Sequence, residues 1–268
     1  MIPCRAGRAS SLFVAFLASI GVVIALVAWL WFDSGAPART AKPLVMYCAV
    51  AVKVPVDAMA LEYEKTAGVK IELQFGASQT LLTSATVSHQ GDLYLPADDS
   101  YIAIAREKGL LADEIPLATQ RLVLVVRTGN PKRVHSLDDL LRPEVTLAQA
   151  NPDAAASGKV TRDILRKTGR WDAIKEHTAV FTSTVVEAAN ALKLGTADAA
   201  FVWDAMATQY PELEVVPLSV LRGAESKLVV AVLKSSDQPA EALRLARALA
   251  SGWAHFKSAG FHVDDDEK

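Results

Sequence analysis

A chain of 268 residues, 51% hydrophobic and 22% charged, is long enough for one large domain or two lobes with real cores. Its 28 basic and 30 acidic residues nearly cancel, and no basic patch emerges, so no nucleic-acid partner is expected. Two cysteines are too few for a disulfide framework.

The first landmark is Leu12–Phe32, LFVAFLASIGVVIALVAWLWF, an uncharged run of about 20 residues, enough to span a bilayer as a helix. Arg5 and Arg8 precede it and Asp33 follows, so the positive flank stays in the cytoplasm and the remainder lies outside. Residues 1–38 therefore read as a signal anchor, or as a signal peptide with a tether cut near Ala36-Pro37-Ala38. The run is long for a cleaved peptide, which favours the anchor. Either way the protein is extracytoplasmic (periplasmic), anchored to the cytoplasmic membrane or secreted. Cys4 and Cys48 then lie on opposite sides of the membrane, and Cys48 reads as a small buried hydrophobe. Two basic residues and one acidic residue precede Arg39, so the outer part keeps a formal net charge of −3.

Leu44–Ala49 (LVMYCA) has the unbroken apolar character of a buried parallel strand. A helix from Val56 to Thr66 follows, with Gly68 as its stop. Val69–Phe75 alternates like a half-buried strand, and Leu81-Leu82 opens the next helix. Between these two, Gly76-Ala77-Ser78-Gln79-Thr80 offers free N–H groups at a helix N-terminus, where an anion would be welcome. Ser78 is equally readable as an ordinary N-cap. Gly91–Pro96 is a strand, Ala97–Ser100 its loop, and Tyr101–Lys108 a helix closed by Gly109. The Asp98-Asp99 pair reads as a solvated turn before it reads as a cation site. Alternating strands and helices predict a parallel α/β sheet.

Arg121–Arg127 (RLVLVVR) is a strongly apolar strand, followed by a break at Thr128–Pro131 and a capped turn at Ser136–Leu141. A second α/β series begins at Val145–Ala148, with a helix over Lys159–Thr168 stopped by Gly169, a helix over Val185–Leu194 and a strand over Ala199–Trp203. Asp204 opens the next segment; Glu214–Val216 and Lys227–Leu233 are strands, and Glu241–Gly252 is an amphipathic helix. Two such series predict two lobes, residues 44–121 plus 227–268 and residues 122–226, with a ligand between the C-terminal ends of both sets of strands.

Chemical motifs are few. The five histidines are scattered with no metal-ligand spacing, and neither a P-loop nor G-x-G-x-x-G occurs, so no cofactor and no metal cation are expected. Gly76–Thr80 approaches the nucleophile-elbow pattern G-x-S-x-G, and Asp204 with His255 or His262 would complete a Ser, Asp, His order. Thr80 replaces the final glycine, which weakens this serine-hydrolase alternative.

Four stretches carry a family resemblance: VMYCAVAV at Val45–Val52, GVKIELQFGASQTL at Gly68–Leu81, GDLYLPADDS at Gly91–Ser100, and Leu147–Trp171 with its NPDAAASGKVTRDILRKTGRWD. Their order and spacing resemble the periplasmic molybdate-binding proteins of ABC transporters, within the type 2 extracellular solute-binding protein superfamily, from Leu44 to about Phe261. The resemblance implies a two-lobed fold that captures a small oxyanion, molybdate or tungstate, through neutral hydroxyl and N–H donors. It also implies no enzymatic activity, a monomer, and an ABC transporter permease as partner. By position it implies a binding set of Ala51, Ser78, Ser157, Val186, Trp203 and Asp204, with Val185 as the neighbour of Val186. Three of these depart from the family pattern. Ala51 stands where a serine is usual, Trp203 where a tyrosine is usual, and Asp204 where a small residue is expected. A carboxylate at Asp204 would suit phosphate or an organic acid. A membrane-anchored sensor on the same fold is a further alternative, with only about 10 residues left inside the cell, too few for an effector domain.

Overall fold

The computed structural model describes residues 42–263, so the apolar stretch Leu12–Phe32 and the acidic tail from Asp264 lie outside the described residues. Among the described residues no helix is long and apolar enough to cross a membrane. Among the described residues nine strands form one mixed sheet in the order β2-β1-β3-β9-β4-β7-β5-β6, with β8 also paired to β4.

The first half-sheet is built on β1 (Leu44–Ala49), which pairs in parallel with β2 (Ile71–Gly76) on one side and β3 (Leu93–Leu95) on the other. Covered on both faces, β1 is almost wholly buried, as its unbroken apolar run requires. β2 is the edge strand, and its Ile, Leu and Phe are only half-buried. Helix α1 (Lys53–Ala67) joins β1 to β2 after a 3-10 turn at Val50–Val52 and stops at Gly68, whose φ of 68° closes the left-handed cap. Helix α2 (Ser78–Ser88) joins β2 to β3, and α3 (Asp99–Glu107) follows β3. Asp98 caps α3 by accepting from Ser100 N–H (3.0 Å); it is buried, not the solvated turn its neighbourhood suggests. Cys48 is buried in the same core, and burial pushes its thiol pKa well up, so it remains an inert hydrophobe.

The second half-sheet hangs on β7 (Ala199–Trp203), every residue of which is buried between β5 (Leu147–Ala150) and β4 (Leu111–Arg127). β6 (Thr178–Thr182) forms its outer edge, and β8 (Leu213–Val216) pairs with the end of β4. Helices α4 (Ala156–Lys167), α5 (Trp171–His177), α6 (Val185–Lys193) and α7 (Asp204–Gln209) connect these strands.

β4 belongs to both halves. From Leu111 to Arg121 it runs antiparallel to β9 (Glu225–Leu233), and from Leu122 to Val126 it pairs with β7. Its first ten residues, LADEIPLATQ, have no strand pattern in sequence because Pro116 and the acidic residues interrupt it. The structure absorbs Pro116 at a register shift between Pro116 and Ala118. Helices α8 (Pro239–Ser251) and α9 (Trp253–Ser258) close the chain, and His262 returns to bridge Thr119 on β4. The sequence reading also passes over α5, α9 and β6. The two helices have only six or seven residues, and β6 is an exposed edge strand without a buried run.

Candidate functional site

The C-terminal ends of β1, β2 and β7 and the starts of several helices meet around a small cavity of about 10 Å³. Val50 and Ala51 reach it from the 3-10 turn after β1, Gly76, Ala77 and Ser78 from the start of α2, and Ala97 from the loop after β3. The second half supplies Ala155, Ala156 and Ser157 at the start of α4, Thr184 and Val185 at the start of α6, and Trp203 at the end of β7.

Three helix N-termini thus face one space. The caps of α2 and α4 are Ala77 and Ala155, which have no side-chain oxygen to take up first-turn N–H groups, and neither helix has an acidic residue in its first turn. Both ends are therefore positive and suited to an anion, although Gln79 N–H in the first turn of α2 is already taken by Ala154 O (2.9 Å). α6 differs: Thr184 Oγ1 accepts from Glu187 N–H (3.2 Å) and Glu187 Oε2 accepts from Ser183 N–H (2.9 Å), a capping box. The T-V-V-E spacing at Thr184–Glu187 carries that signal in the sequence.

Apart from Trp203 the side chains at the cavity are small, and all are uncharged, with three hydrogen-bond donors among them besides Thr184. Ser78 is 2% exposed; its Oγ accepts from Ala97 N–H (3.1 Å), and its carbonyl accepts from Tyr94 O–H (2.9 Å). Burial, aided by the nearby Tyr101 and Asp98, pushes the Tyr94 pKa well above its ordinary value, so this phenol stays a donor. Ser157 Oγ and Trp203 Nε1 are buried and, among the described residues, have no hydrogen-bond partner. Gly158 sets the position of Ser157. A Cβ there would lie 2.2 Å from Ala150 O, so only glycine lets α4 press its first turn onto the end of β5. Across the cavity the two halves touch: Gln79 N–H donates to Ala154 O (2.9 Å), and Ala77 packs with Ala150 and Ala155. No charged side chain lines the cavity among the described residues.

Of the six residues singled out in sequence, Ala51, Ser78, Ser157 and Trp203 line this space. Val185 lines it in place of Val186, which sits one residue further along α6. Asp204 does not line it. Its Oδ1 accepts from Arg121 N–H (3.0 Å) and Ala205 N–H (3.0 Å), and its Oδ2 lies 2.7 Å from His262 Nε2, so its carboxylate ties α7 to β4 and to the C-terminal segment. His255 pairs with Glu62 (3.3 Å) on the α1 side, and neither histidine lines the cavity that holds Ser78. Asp204 and His262 thus meet each other without Ser78. Ala97 and Gln120 carry no local signal: Ala97 N–H donates to Ser78 Oγ and Ala97 O accepts from Gln120 Nε2–H (2.8 Å), contacts distant in sequence.

Residues 44–262 match the family described as bacterial extracellular solute-binding protein. The molybdate-binding protein ModA of Mycobacterium tuberculosis (strain H37Rv) is 27% identical over 209 residues, covering 76% of this chain and 77% of that protein. Two solved structures share the fold. The periplasmic molybdate-binding protein of Azotobacter vinelandii superposes with a TM-score of 0.69 at 17% identity, over 83% of this chain and 100% of that one. The sulfate-binding protein SubI of Mycobacterium tuberculosis H37Rv superposes with a TM-score of 0.71 at 19% identity, over 84% and 88%. The mixed sheet with its helices thus has the two-lobed periplasmic-binding-protein fold, and the chain belongs to the bacterial extracellular solute-binding protein family.

Proposed function

We propose that this protein captures a small oxyanion without a proton, molybdate or tungstate, between its two lobes and passes it unchanged to the permease of an ABC importer. One observation carries the reading: Ser157 Oγ–H and Trp203 Nε1–H, both buried and unpartnered among the described residues, converge with Ser78 and the positive starts of α2 and α4 on one uncharged cavity. Trp203 can only donate, and among the described residues no carboxylate lines the cavity to accept a proton from a protonated anion. Neutral dipoles suit a desolvated dianion, because they give up less hydration on burial than fixed charges do. The name of the Mycobacterium tuberculosis relative points the same way.

The lobes of this reading are residues 44–121 with 227–268, and residues 122–226; the pairing of β4 passes from β9 to β7 between Arg121 and Leu122. The N-terminal apolar segment holds the protein at the outer face of the cytoplasmic membrane, and the protein works as a monomer. Calorimetry and thermal melting with molybdate, tungstate, sulfate and phosphate test the ligand. Molybdate and tungstate should bind most tightly and raise the melting temperature most, since a ligand of the native state stabilises it by mass action. A chain that none of the four anions stabilises is not an oxyanion receptor.

A further inference from the structure

Gln120 lies on β4 at the last rungs paired with β9, and it is fully buried. Its cross-strand partner on β9 is Ser226, also buried. Both side chains reach the same corner of the chain. Gln120 Nε2–H donates to Ala97 O (2.8 Å), and Ser226 Oγ–H donates to Asp98 Oδ2 (2.7 Å). Asp98 is held further by Ser100, through its N–H and its hydroxyl. One rung of the ladder between the two long strands thus grips two consecutive residues of the loop after β3.

That loop orients Ser78. Ala97 N–H donates to Ser78 Oγ (3.1 Å) and fills one of its acceptor positions. The serine proton is then left for the cavity that Ser78 lines. The glutamine carries a cost as well as a contact: Gln120 Oε1 is buried and, among the described residues, has no partner. A leucine of similar size would bury no such oxygen but would leave Ala97 O without the N–H it accepts.

We infer that Gln120 and Ser226 are positioning residues for Ser78: by fixing Ala97 and Asp98 from the two adjacent strands, they hold Ala97 N–H on Ser78 Oγ and turn the serine hydroxyl toward the bound anion. This rests on the reading of Ser78 as an anion donor. The rung also explains how residues with separations of 23 and 128 positions act on one hydroxyl.

The test is a double-mutant cycle on the 268-residue chain, read by calorimetry with molybdate. Gln120→Leu should weaken binding about five- to tenfold when Ser78 is present and less than about twofold further in a Ser78→Ala background. Ser226→Ala should reproduce that dependence on Ser78, which covers the case of a leucine variant that folds poorly. Without any anion, hydrogen exchange at the Ala97 amide should rise in both variants. Equal losses in the two backgrounds, no loss in either, or unchanged Ala97 exchange in a chain that binds molybdate would overturn the positioning role. A different pattern marks failure of the underlying reading: wild-type chain that binds no oxyanion, or Ser78→Ala with undiminished affinity, removes the site itself and the proposal with it.

Discussion

The two sides of the cavity are built differently. On the side of β1–β3, the protein satisfies its own polar groups: Ser78 Oγ takes Ala97 N–H, and Ser78 O takes Tyr94 O–H. On the side of β5 and β7, Ser157 Oγ and Trp203 Nε1 are buried and, among the described residues, unpartnered. A buried donor without a partner costs about 1–3 kcal/mol. On the proposed function, the first side holds its donor in place before an anion arrives, while the second carries donors whose bonds the anion would complete. Removing a donor should weaken binding on both sides but destabilise the free protein only on the first.

Gly158→Ala should have the largest effect, because it moves the second side as a block. Its Cβ would sit 2.2 Å from Ala150 O, forcing the first turn of α4 and Ser157 outward. We expect a stability loss of about 1–3 kcal/mol by denaturant titration. Molybdate affinity should fall by about 100-fold or more, as a displacement of about 1 Å suffices to disrupt a preorganised site. Affinity that survives the substitution would mean that the start of α4 does not touch the ligand.

Ser78→Ala comes next. A hydrogen bond to a charged group contributes roughly 1.5–3 kcal/mol, so calorimetry should read a loss of about 10- to 150-fold. The free protein should also lose about 1 kcal/mol, since Ala97 N–H is left without its acceptor. Trp203→Phe and Ser157→Ala should each weaken binding about tenfold; Ser157→Ala should leave the melting temperature of the free protein level or higher, because it removes an unmet buried donor, while Trp203→Phe sets the same gain against the packing lost with the larger ring. Should Ser157→Ala destabilise the free protein as Ser78→Ala does, the two sides do not differ as argued.

Asp204→Asn should have the smallest effect on binding. Its carboxylate bonds Arg121 N–H and Ala205 N–H and faces His262, away from the cavity lining. Affinity should stay within about twofold, while stability drops by about 1 kcal/mol. Markedly tighter molybdate binding in this variant would place the negative charge against the anion after all.

Most of the fold was legible because its strongest signals are local. β1 and β7 have the limits expected of them, Leu44–Ala49 and Ala199–Trp203, since strands covered on both faces must be apolar throughout. Gly68 and Gly169 end their helices with φ near 70°, a conformation that glycine adopts without strain. The first half of β4 was not legible, because its partner β9 lies about a hundred residues away and tolerates Pro116 at a register shift.

The sequence by itself determined the α/β architecture, the break between two series of strands and helices, and the place of Ser78 at the start of a helix after β2. Those follow from hydrophobic period, glycine stops and motif order, which the chain carries locally. Only the tertiary structure decided that Val185 rather than its neighbour lines the cavity, and that Trp203 faces it while Asp204 turns to Arg121 and His262. Adjacent residues at a strand end point in different directions, and the packing of the strand settles which way each one goes. Gln120 and Ser226 make the same point at longer range. Nothing near either residue in sequence marks it, and each gains its role from a hydrogen bond to a loop that folding brings alongside.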